Sequence, residues 1–364
     1  MLSRTLFILL FFGITATHAE ITSPRQMIMG YVSIWGLQDH NVISKIDPNT
    51  ITHLAYSFLD INKNGKCELL GAEDESKNQS IEILNEFKEL KIRTPQIKTI
   101  LSIGGYGNSK YFSDVAKTEE SRKIFAESCI QYLKQYSFDG IDIDWEFPVT
   151  GGLKTNHVNR NDSANQVLLM QEFRTQLDQL QKIEKINQHY SLSVAVSGEK
   201  HQLRTFDIKN LAPLVDWFGL MAYDMCHDRP CNHSSLYAYD SDHSYAEETI
   251  HSMLQQGAQS KQIVLGVPFY GYSWTNKNGT PKRTFTDYST ILKKSQNYTK
   301  YIDPKSGQPW LISPDHKVKI NYDDEASLHN KALYAEKHHF AGTLIWELSD
   351  DDDQFTLLKA LNLQ

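Results

Sequence analysis

The sequence lacks the features that mark membrane proteins and nucleic-acid-binding proteins. Beyond its N-terminus, the 364-residue chain has no apolar run long enough to cross a bilayer. It has no basic run, and 44 acidic side chains outnumber 37 basic ones, which gives a net charge of -7. We therefore expect no membrane partner and no nucleic-acid partner. No internal repeat and no Pro-rich or Ser-rich linker to a second module is visible. We expect the protein to be a monomer.

An apolar run at the N-terminus extends from Leu6 to Ile14, with Arg4 before it and small residues at Thr17 and Ala19. It is too short to cross a bilayer, and the pattern predicts a secretory signal peptide over residues 1–19. The mature chain, residues 20–364, is then expected to be secreted and extracellular. Its length suits one α/β barrel that carries an insertion.

Cysteine is scarce, with four residues in the chain. Export permits disulfides, and the closely spaced Cys226 and Cys231 predict a small disulfide loop. A zinc site that recruits the neighbouring histidines is the alternative, although the spacing matches no usual ligand pattern. Cys67 and Cys129 either pair with each other or remain buried thiols.

Acidic residues alternate with apolar ones in the segment FDGIDIDWEFP, residues 138–148. Successive side chains of a strand point to opposite sides, so Asp142, Asp144 and Glu146 form one row with about 6.7 Å between neighbours. Repulsion between the like charges couples their titrations and keeps at least one proton in the row near neutral pH. A carboxyl group that keeps its proton is suited to general acid catalysis.

Two other interpretations of this row are weaker. A solvated acidic strand edge does not explain the apolar face formed by Ile141, Ile143 and Trp145. A site for a hard metal ion is possible in principle, but no His or Asn completes the row, and we expect no metal and no cofactor. Asp139 has the parity of the isoleucines, so we interpret it as structural.

Strand-like segments recur eight times along the chain, which is the number of strands in a closed parallel barrel. They lie at residues 29–35, 52–60, 97–103, 139–146, 190–197, 215–223, 262–269 and 342–347. Helical patterns at 79–91, 119–135, 163–183, 244–256 and 325–338 separate several of them. The alternation predicts an α/β fold, a (β/α)8 TIM barrel over residues 20–364.

About 70 residues separate the seventh and eighth strand segments, more than one crossover helix needs. The polar, turn-rich stretch 272–322 lies in this interval and contains short strand-like pieces. It predicts a small α+β insertion that forms one wall of a cleft.

Several strands end in residues that suit an active site, because catalytic groups of such barrels come from the C-terminal ends of strands. The third strand ends in LSIGGYG, the sixth in MAYD and the eighth in LIWELSD. These ends place Tyr223, Asp224 and Trp346 at the mouth of the barrel.

These segments resemble those of glycoside hydrolase family 18, the chitinases, over nearly the whole mature chain. DGIDIDWE, residues 139–146, is similar to the family's D-x-x-D-x-D-x-E signature. Five other segments also match the family and occur in the family's order along the chain: SIGG, WEFPVTGG, MAYD and the late INYDDEASL and GTLIWELSDDD. The predicted insertion is similar to that of bacterial-type chitinases with a deep cleft.

The resemblance implies a retaining, substrate-assisted hydrolysis of chitin or chito-oligosaccharides. Glu146 would protonate the glycosidic oxygen while the N-acetyl oxygen of the substrate attacks the anomeric carbon. Asp144 would accept a hydrogen bond from the acetamido N–H and stabilise the oxazolinium ion, and Asp142 would share its proton and charge. The substrate-binding residues implied are Tyr223, Asp224, Trp346 and Met221.

Further matches to the family are less close. Tyr31 corresponds to a position near the buried aspartate, and Tyr106 stands where Trp is common. YTKYID, residues 298–303, resembles the family segment Y-T-R-Y-W-D and adds Tyr298 and Lys300 as candidate sugar contacts. Lys lacks the planar fork of Arg, which weakens the expected contact.

Three alternative functions follow from the same residues. A chitinase-like lectin binds sugar without cleaving it, but such proteins lack the acid that Glu146 provides. An endo-N-acetylglucosaminidase would use the same chemistry on N-glycans, whereas the predicted insertion favours linear chitin chains. A metal-dependent barrel hydrolase is the third alternative, and its activity would be sensitive to EDTA.

Overall fold

The computed structural model describes residues 25–34, 42–71, 76–184, 189–227, 229–277 and 280–363. The predicted signal peptide, residues 1–19, lies outside these ranges. The strands within them are β1 (Met27–Ser33), β2 (His53–Ile61), β3 (Cys67–Leu69), β4 (Lys98–Gly104), β5 (Gly140–Asp144), β6 (Ser191–Ser197), β7 (Trp217–Met221), β8 (Ile263–Pro268), β9 (Tyr270–Lys277), β10 (Thr280–Asp287), β11 (Thr299–Ile302), β12 (Pro309–Ile312), β13 (Val318–Asn321) and β14 (Gly342–Trp346).

Helices connect most of these strands. They are α1 (Val42–Lys45), α2 (Ser76–Arg93), α3 (Phe112–Ala116), α4 (Glu119–Tyr136), α5 (Asp162–Glu184), α6 (Lys200–Leu203), α7 (Ile208–Leu211), α8 (Ala246–Gln255), α9 (Tyr288–Ser295), α10 (Glu325–Lys337) and α11 (Thr356–Ala360). No described helix is both long enough and apolar enough to span a membrane.

Eight parallel strands close into a barrel, which confirms the predicted TIM-barrel fold. Their order around the barrel is β1, β2, β4, β5, β6, β7, β8 and β14, and β14 pairs with β1 to close the ring. Each barrel strand matches one of the eight predicted segments. The short strand β3, which pairs antiparallel with β2, is an element that the sequence pattern does not predict.

Apolar side chains pack against both faces of the barrel strands. Side chains on the outer face, such as Ile141 and Ile143 of β5, pack in a large core with the helices. Side chains of opposite parity, such as Met29, Ile100 and Leu344, fill the barrel interior. The acidic residues of β5 therefore point into the barrel, because their isoleucine neighbours occupy the outer core.

A second sheet lies in the interval between β8 and β14. It has five antiparallel strands in the order β10-β9-β13-β12-β11, and α9 packs beside it. The sheet spans residues 270–321, so it starts two residues before the predicted insertion.

Two disulfides connect parts of the described chain. Cys67 of β3 is joined to Cys129 of α4, and Cys226 to Cys231 in the loop after β7. All four thiols are therefore bonded, and the cysteines of the 226–231 loop are not available as zinc ligands.

Candidate active site

Asp142, the more deeply buried of the two aspartates in the row, is held by three hydroxyl groups. Ser102 and Tyr31 donate to its Oδ2 at 2.7 and 2.9 Å, and Ser193 donates to its Oδ1 at 2.7 Å. The two serines lie level with Asp142 in the register of β4, β5 and β6, so all three point into the barrel. Burial raises the pKa of Asp142, and the three hydrogen bonds oppose that rise.

The next carboxylate along the row, Asp144, is 5% exposed. Its Oδ1 accepts no hydrogen bond within the described part of the chain. Burial raises its pKa well above the usual range, and the nearby charges of Glu146 and Asp142 add to the effect. A buried acceptor without a donor is suited to bind a donor that the substrate brings.

Glu146 lies two residues beyond the end of β5. Its backbone is fixed on both sides, because its N–H donates to Ser109 Oγ at 2.8 Å and its C=O accepts from Asn156 Nδ2 at 3.0 Å. Burial, together with the charge of Asp224, raises the pKa of the Glu146 carboxyl to about 8. These directions agree with the expectation that the row keeps a proton near neutral pH.

Asp224 differs from the row, since its environment stabilises the charged form. Partial burial alone would raise its pKa, but the nearby His233, with Nδ1 3.7 Å from Asp224 Oδ1, and a hydrogen bond from Tyr270 hold the pKa below the usual value. The Tyr270 hydroxyl donates to Asp224 Oδ1 at 2.6 Å. Asp224 has a backbone φ of 56°, a left-handed conformation that Asp tolerates better than most residues.

Aromatic rings form the opposite side of the site. Trp346, at the end of β14, stacks on Phe58 with 5.5 Å between ring centroids, and Tyr31 lies 5.7 Å from the same indole. Such packing fixes the indole and leaves a flat apolar surface, which suits the face of a pyranose ring.

A cavity of about 470 Å³ opens at the C-terminal ends of the barrel strands. Most of the residues proposed from the sequence line it, while Asp142 lies beneath it and Tyr298 and Lys300 are not part of its wall. The lining residues among them are Asp144, Glu146, Tyr223, Asp224, Trp346, Met221, Tyr31 and Tyr106.

The two candidates outside the cavity lie on the antiparallel sheet and next to it. Lys300, on β11, makes an ion pair with Asp324 at 2.5 Å, and Tyr298 packs against the outer core. Only a sugar chain that extends beyond the cavity would reach them.

Sequence reasoning missed some residues that the structure brings to the site. Ser193 was detectable only from the register of β6 with β5, and Phe58 gives no local signal. Tyr270 lies two residues after β8, the seventh barrel strand. Its position at a strand end was therefore a usable signal. Glu199, two residues after β6, had the same signal and also lines the cavity.

Comparisons with known proteins agree with this geometry. A family model described as "Glycosyl hydrolases family 18" matches residues 27–351. Chitinase A1 of Niallia circulans is 29% identical over 93% of this chain, which spans 58% of the length of that protein. The class V chitinase CHIT5a of Medicago truncatula is 29% identical, with 94% of this chain and 92% of its own length covered.

A solved structure of similar fold is chitinase ChiA74 from Bacillus thuringiensis. It has a TM-score of 0.81 and 25% identity, and the match covers 93% of this chain and 69% of that one.

Proposed function

This chain belongs to the glycosyl hydrolases of family 18, and from that membership we propose that it is a chitinase with a retaining, substrate-assisted mechanism. The substrate is chitin or a chito-oligosaccharide, and the bond cleaved is the β-1,4 linkage between N-acetylglucosamine units. The observation that supports this most is the row of carboxylates at one cavity, in which Asp144 Oδ1 has no donor among the described residues and Glu146 has a raised pKa.

The first step breaks the glycosidic bond. Glu146 transfers its proton to the glycosidic oxygen while the acetamido oxygen of the reacting sugar forms a bond with the anomeric carbon. The leaving sugar departs with the proton, and the reacting sugar becomes a cyclic oxazolinium ion. No side chain of the protein forms a covalent bond with the sugar.

Asp144 stabilises the intermediate. Its unpartnered Oδ1 accepts a hydrogen bond from the acetamido N–H, and its charge faces the positive charge that develops on the ring. Tyr223 holds the acetamido oxygen, Asp224 and Met221 contact the sugar, and Trp346 forms the floor beneath it. Asp142 supports Asp144 from below, through a charge that three hydroxyl groups fix in place.

The second step regenerates the enzyme. Water attacks the anomeric carbon from the side that the leaving sugar vacated, and Glu146 takes a proton from it. The oxazolinium ring opens, and the acetamido group returns to its original form. Because the anomeric carbon is displaced twice, its configuration is retained.

Substitution of the acid tests the proposal. We expect Glu146→Gln to reduce turnover of chito-oligosaccharides by about 100-fold to 10,000-fold, because the proton donor is lost. Binding should remain, since Gln has the same shape, and isothermal titration with a chitin oligomer measures it. Glu127→Gln, at an exposed position of α4, is the matched control and should behave like wild type. A Glu146→Gln protein that keeps a tenth of the activity would refute the assigned role.

A further inference from the structure

Glu199 is a carboxylate at the cavity that the proposed mechanism does not use. It lies two residues after β6, the strand that pairs with β5, and it lines the same cavity as Glu146. Its side chain is 21% exposed. Although Glu199 precedes α6, its carboxylate makes no cap hydrogen bond with that helix.

The basic groups near this carboxylate are two imidazoles. Within the described residues, His227 Nε2 lies 3.4 Å and His201 Nε2 3.7 Å from its oxygens. Both distances exceed that of a good hydrogen bond. Among the described residues that line the cavity there is no Lys or Arg, so the cavity holds no strong cation to neutralise Glu199.

A second cavity of about 410 Å³ adjoins the first at this point. The two share Glu199, His201 and His227 in their walls. The other carboxylate of the second cavity, Asp242, is already paired with Arg229 at 2.7 Å. Within the described residues, Glu199 is thus the carboxylate at the junction of the two cavities that faces imidazoles and has no Lys or Arg partner.

The barrel order indicates which part of a substrate meets Glu199. Trp346 ends β14, which lies on the opposite side of the ring from β5, whereas Glu199 follows the strand directly beside β5. In the proposed function, on which this inference rests, Trp346 lies beneath the reacting sugar and Glu146 protonates the oxygen of the leaving sugar. A group beside Glu146 and away from Trp346 therefore faces the leaving sugar.

From this arrangement we propose that Glu199 binds the ammonium group of a 2-amino-2-deoxy sugar in the leaving half of the substrate. The preferred polymer is then partially deacetylated chitin, with an acetylated sugar at the reacting position and glucosamine beyond the cleaved bond. The reacting sugar must keep its acetyl group, because that group is the nucleophile. A carboxylate gains both a hydrogen bond and the attraction of an opposite charge from an ammonium group, whereas a neutral acetamido N–H offers the hydrogen bond alone.

Two tetramers test the inference at slightly acidic pH, where the sugar amine is protonated. One contains four N-acetylglucosamine units, and in the other the third unit from the non-reducing end is glucosamine. Mass spectrometry of the products gives kcat/KM for the central bond of each, and the readout is the ratio of glucosamine tetramer to acetylated tetramer. We expect Glu199→Gln to lower this ratio by roughly threefold to fivefold, the effect of one partly exposed charge pair.

Two further variants make the test specific. Glu199→Asp keeps the charge and should retain part of the preference. Asp242→Asn removes a carboxylate that already has a partner, and the ratio should stay within about twofold of wild type. An unchanged ratio in Glu199→Gln, or an equal fall in Asp242→Asn, would overturn the inference. Failure of the wild type to cleave the acetylated tetramer would instead overturn the proposed function, and the inference with it.

Discussion

The carboxyl groups of Asp144 and Asp224 both line the cavity, but their surroundings act on them in opposite ways. Asp144 is buried, its Oδ1 has no hydrogen-bond donor in the described ranges, and its pKa is raised. Asp224 accepts a hydrogen bond from Tyr270 and lies near His233, and its pKa is lowered despite partial burial. Stability and function are therefore opposed at Asp144 and not at Asp224.

This contrast predicts opposite effects of two Asn substitutions on stability. Above the unfolded pKa of about 3.9, the folded protein holds the Asp144 proton more tightly than the unfolded chain does, so stability falls as the pH rises. Asp144→Asn removes that loss, and we expect its melting temperature at neutral pH to exceed that of wild type by a few degrees. The difference should vanish near about pH 4. Activity should fall severely in the same variant.

Asp224→Asn is the matched control, measured by the same thermal unfolding series. A lowered folded pKa contributes stability that is present above the unfolded pKa and is lost as the pH falls. This variant should therefore melt below wild type at neutral pH and approach it in acid. If Asp144→Asn melts at or below the wild-type temperature at neutral pH, the buried charge of Asp144 is not a source of strain.

The residues of the carboxylate row were predictable, since a strand repeats every two residues and the alternation of acidic and apolar residues gives the parity directly. The hydroxyl partners of Asp142 were not all predictable. Ser193 reaches it through the register between two strands that are separated by α5, and no local pattern encodes that register. Similarity of the segment 298–303 to a family motif indicated residue types, but not whether they reach the cavity.

At the scale of elements, the antiparallel sheet approaches the site by one edge. Tyr270 of β9 donates to Asp224, and Phe285 of β10 stacks on Tyr270 with 4.6 Å between ring centroids. Phe285 is 49% exposed, so one face of its ring is available to a ligand. The opposite edge is β11, which carries Tyr301 with the same exposure and also Lys300.

This geometry predicts that β10, and not β11, contacts a long substrate. We expect Phe285→Ala to raise KM for a chitin hexamer about fivefold to tenfold, the value of one sugar-stacking ring, with a smaller effect on a short aryl chitobioside. Remote binding energy is available only to a substrate long enough to reach the ring. Tyr301→Ala is the matched control at the far edge. A larger loss in Tyr301→Ala than in Phe285→Ala would show that the chain follows β11, where Tyr298 and Lys300 lie.

The positions of most helices and barrel strands could be predicted from the sequence, whereas those of two elements could not. The barrel strands and the main helices have clear periodicity, and their predicted positions agree with the structure within a few residues. Strand β3 has three residues, too few for a periodic signal, and its position depends on pairing with β2 and on the disulfide of Cys67. The sheet begins at Tyr270, where β9 pairs with the next strand, β10, and its other neighbour, β13, is distant in sequence.

At the scale of the whole molecule, the chain combines a closed barrel, an added sheet and two disulfides. The disulfide between Cys67 and Cys129 closes a loop of 62 residues, which in a chain-entropy estimate stabilises the fold by about 4 kcal/mol. Disulfides persist in oxidising compartments, which accords with the predicted export signal. Secretion stays a prediction from the sequence, since residues 1–19 lie outside the described ranges.

The proposed function of the molecule depends on one claim, that the substrate's own acetamido group is the nucleophile. In the proposed mechanism, Asp144 and Tyr223 position that group, Glu146 supplies the proton, and Trp346 holds the sugar ring. The anomeric carbon is then displaced twice, once by the acetamido oxygen and once by water.

Proton NMR of the first products released from a chitin oligomer tests this claim most directly. The spectrum must be recorded before mutarotation equilibrates the new reducing ends. Two displacements predict that these ends appear first as the β-anomer and shift to the equilibrium mixture later. An initial α-anomer would mean a single displacement by water and would contradict substrate assistance.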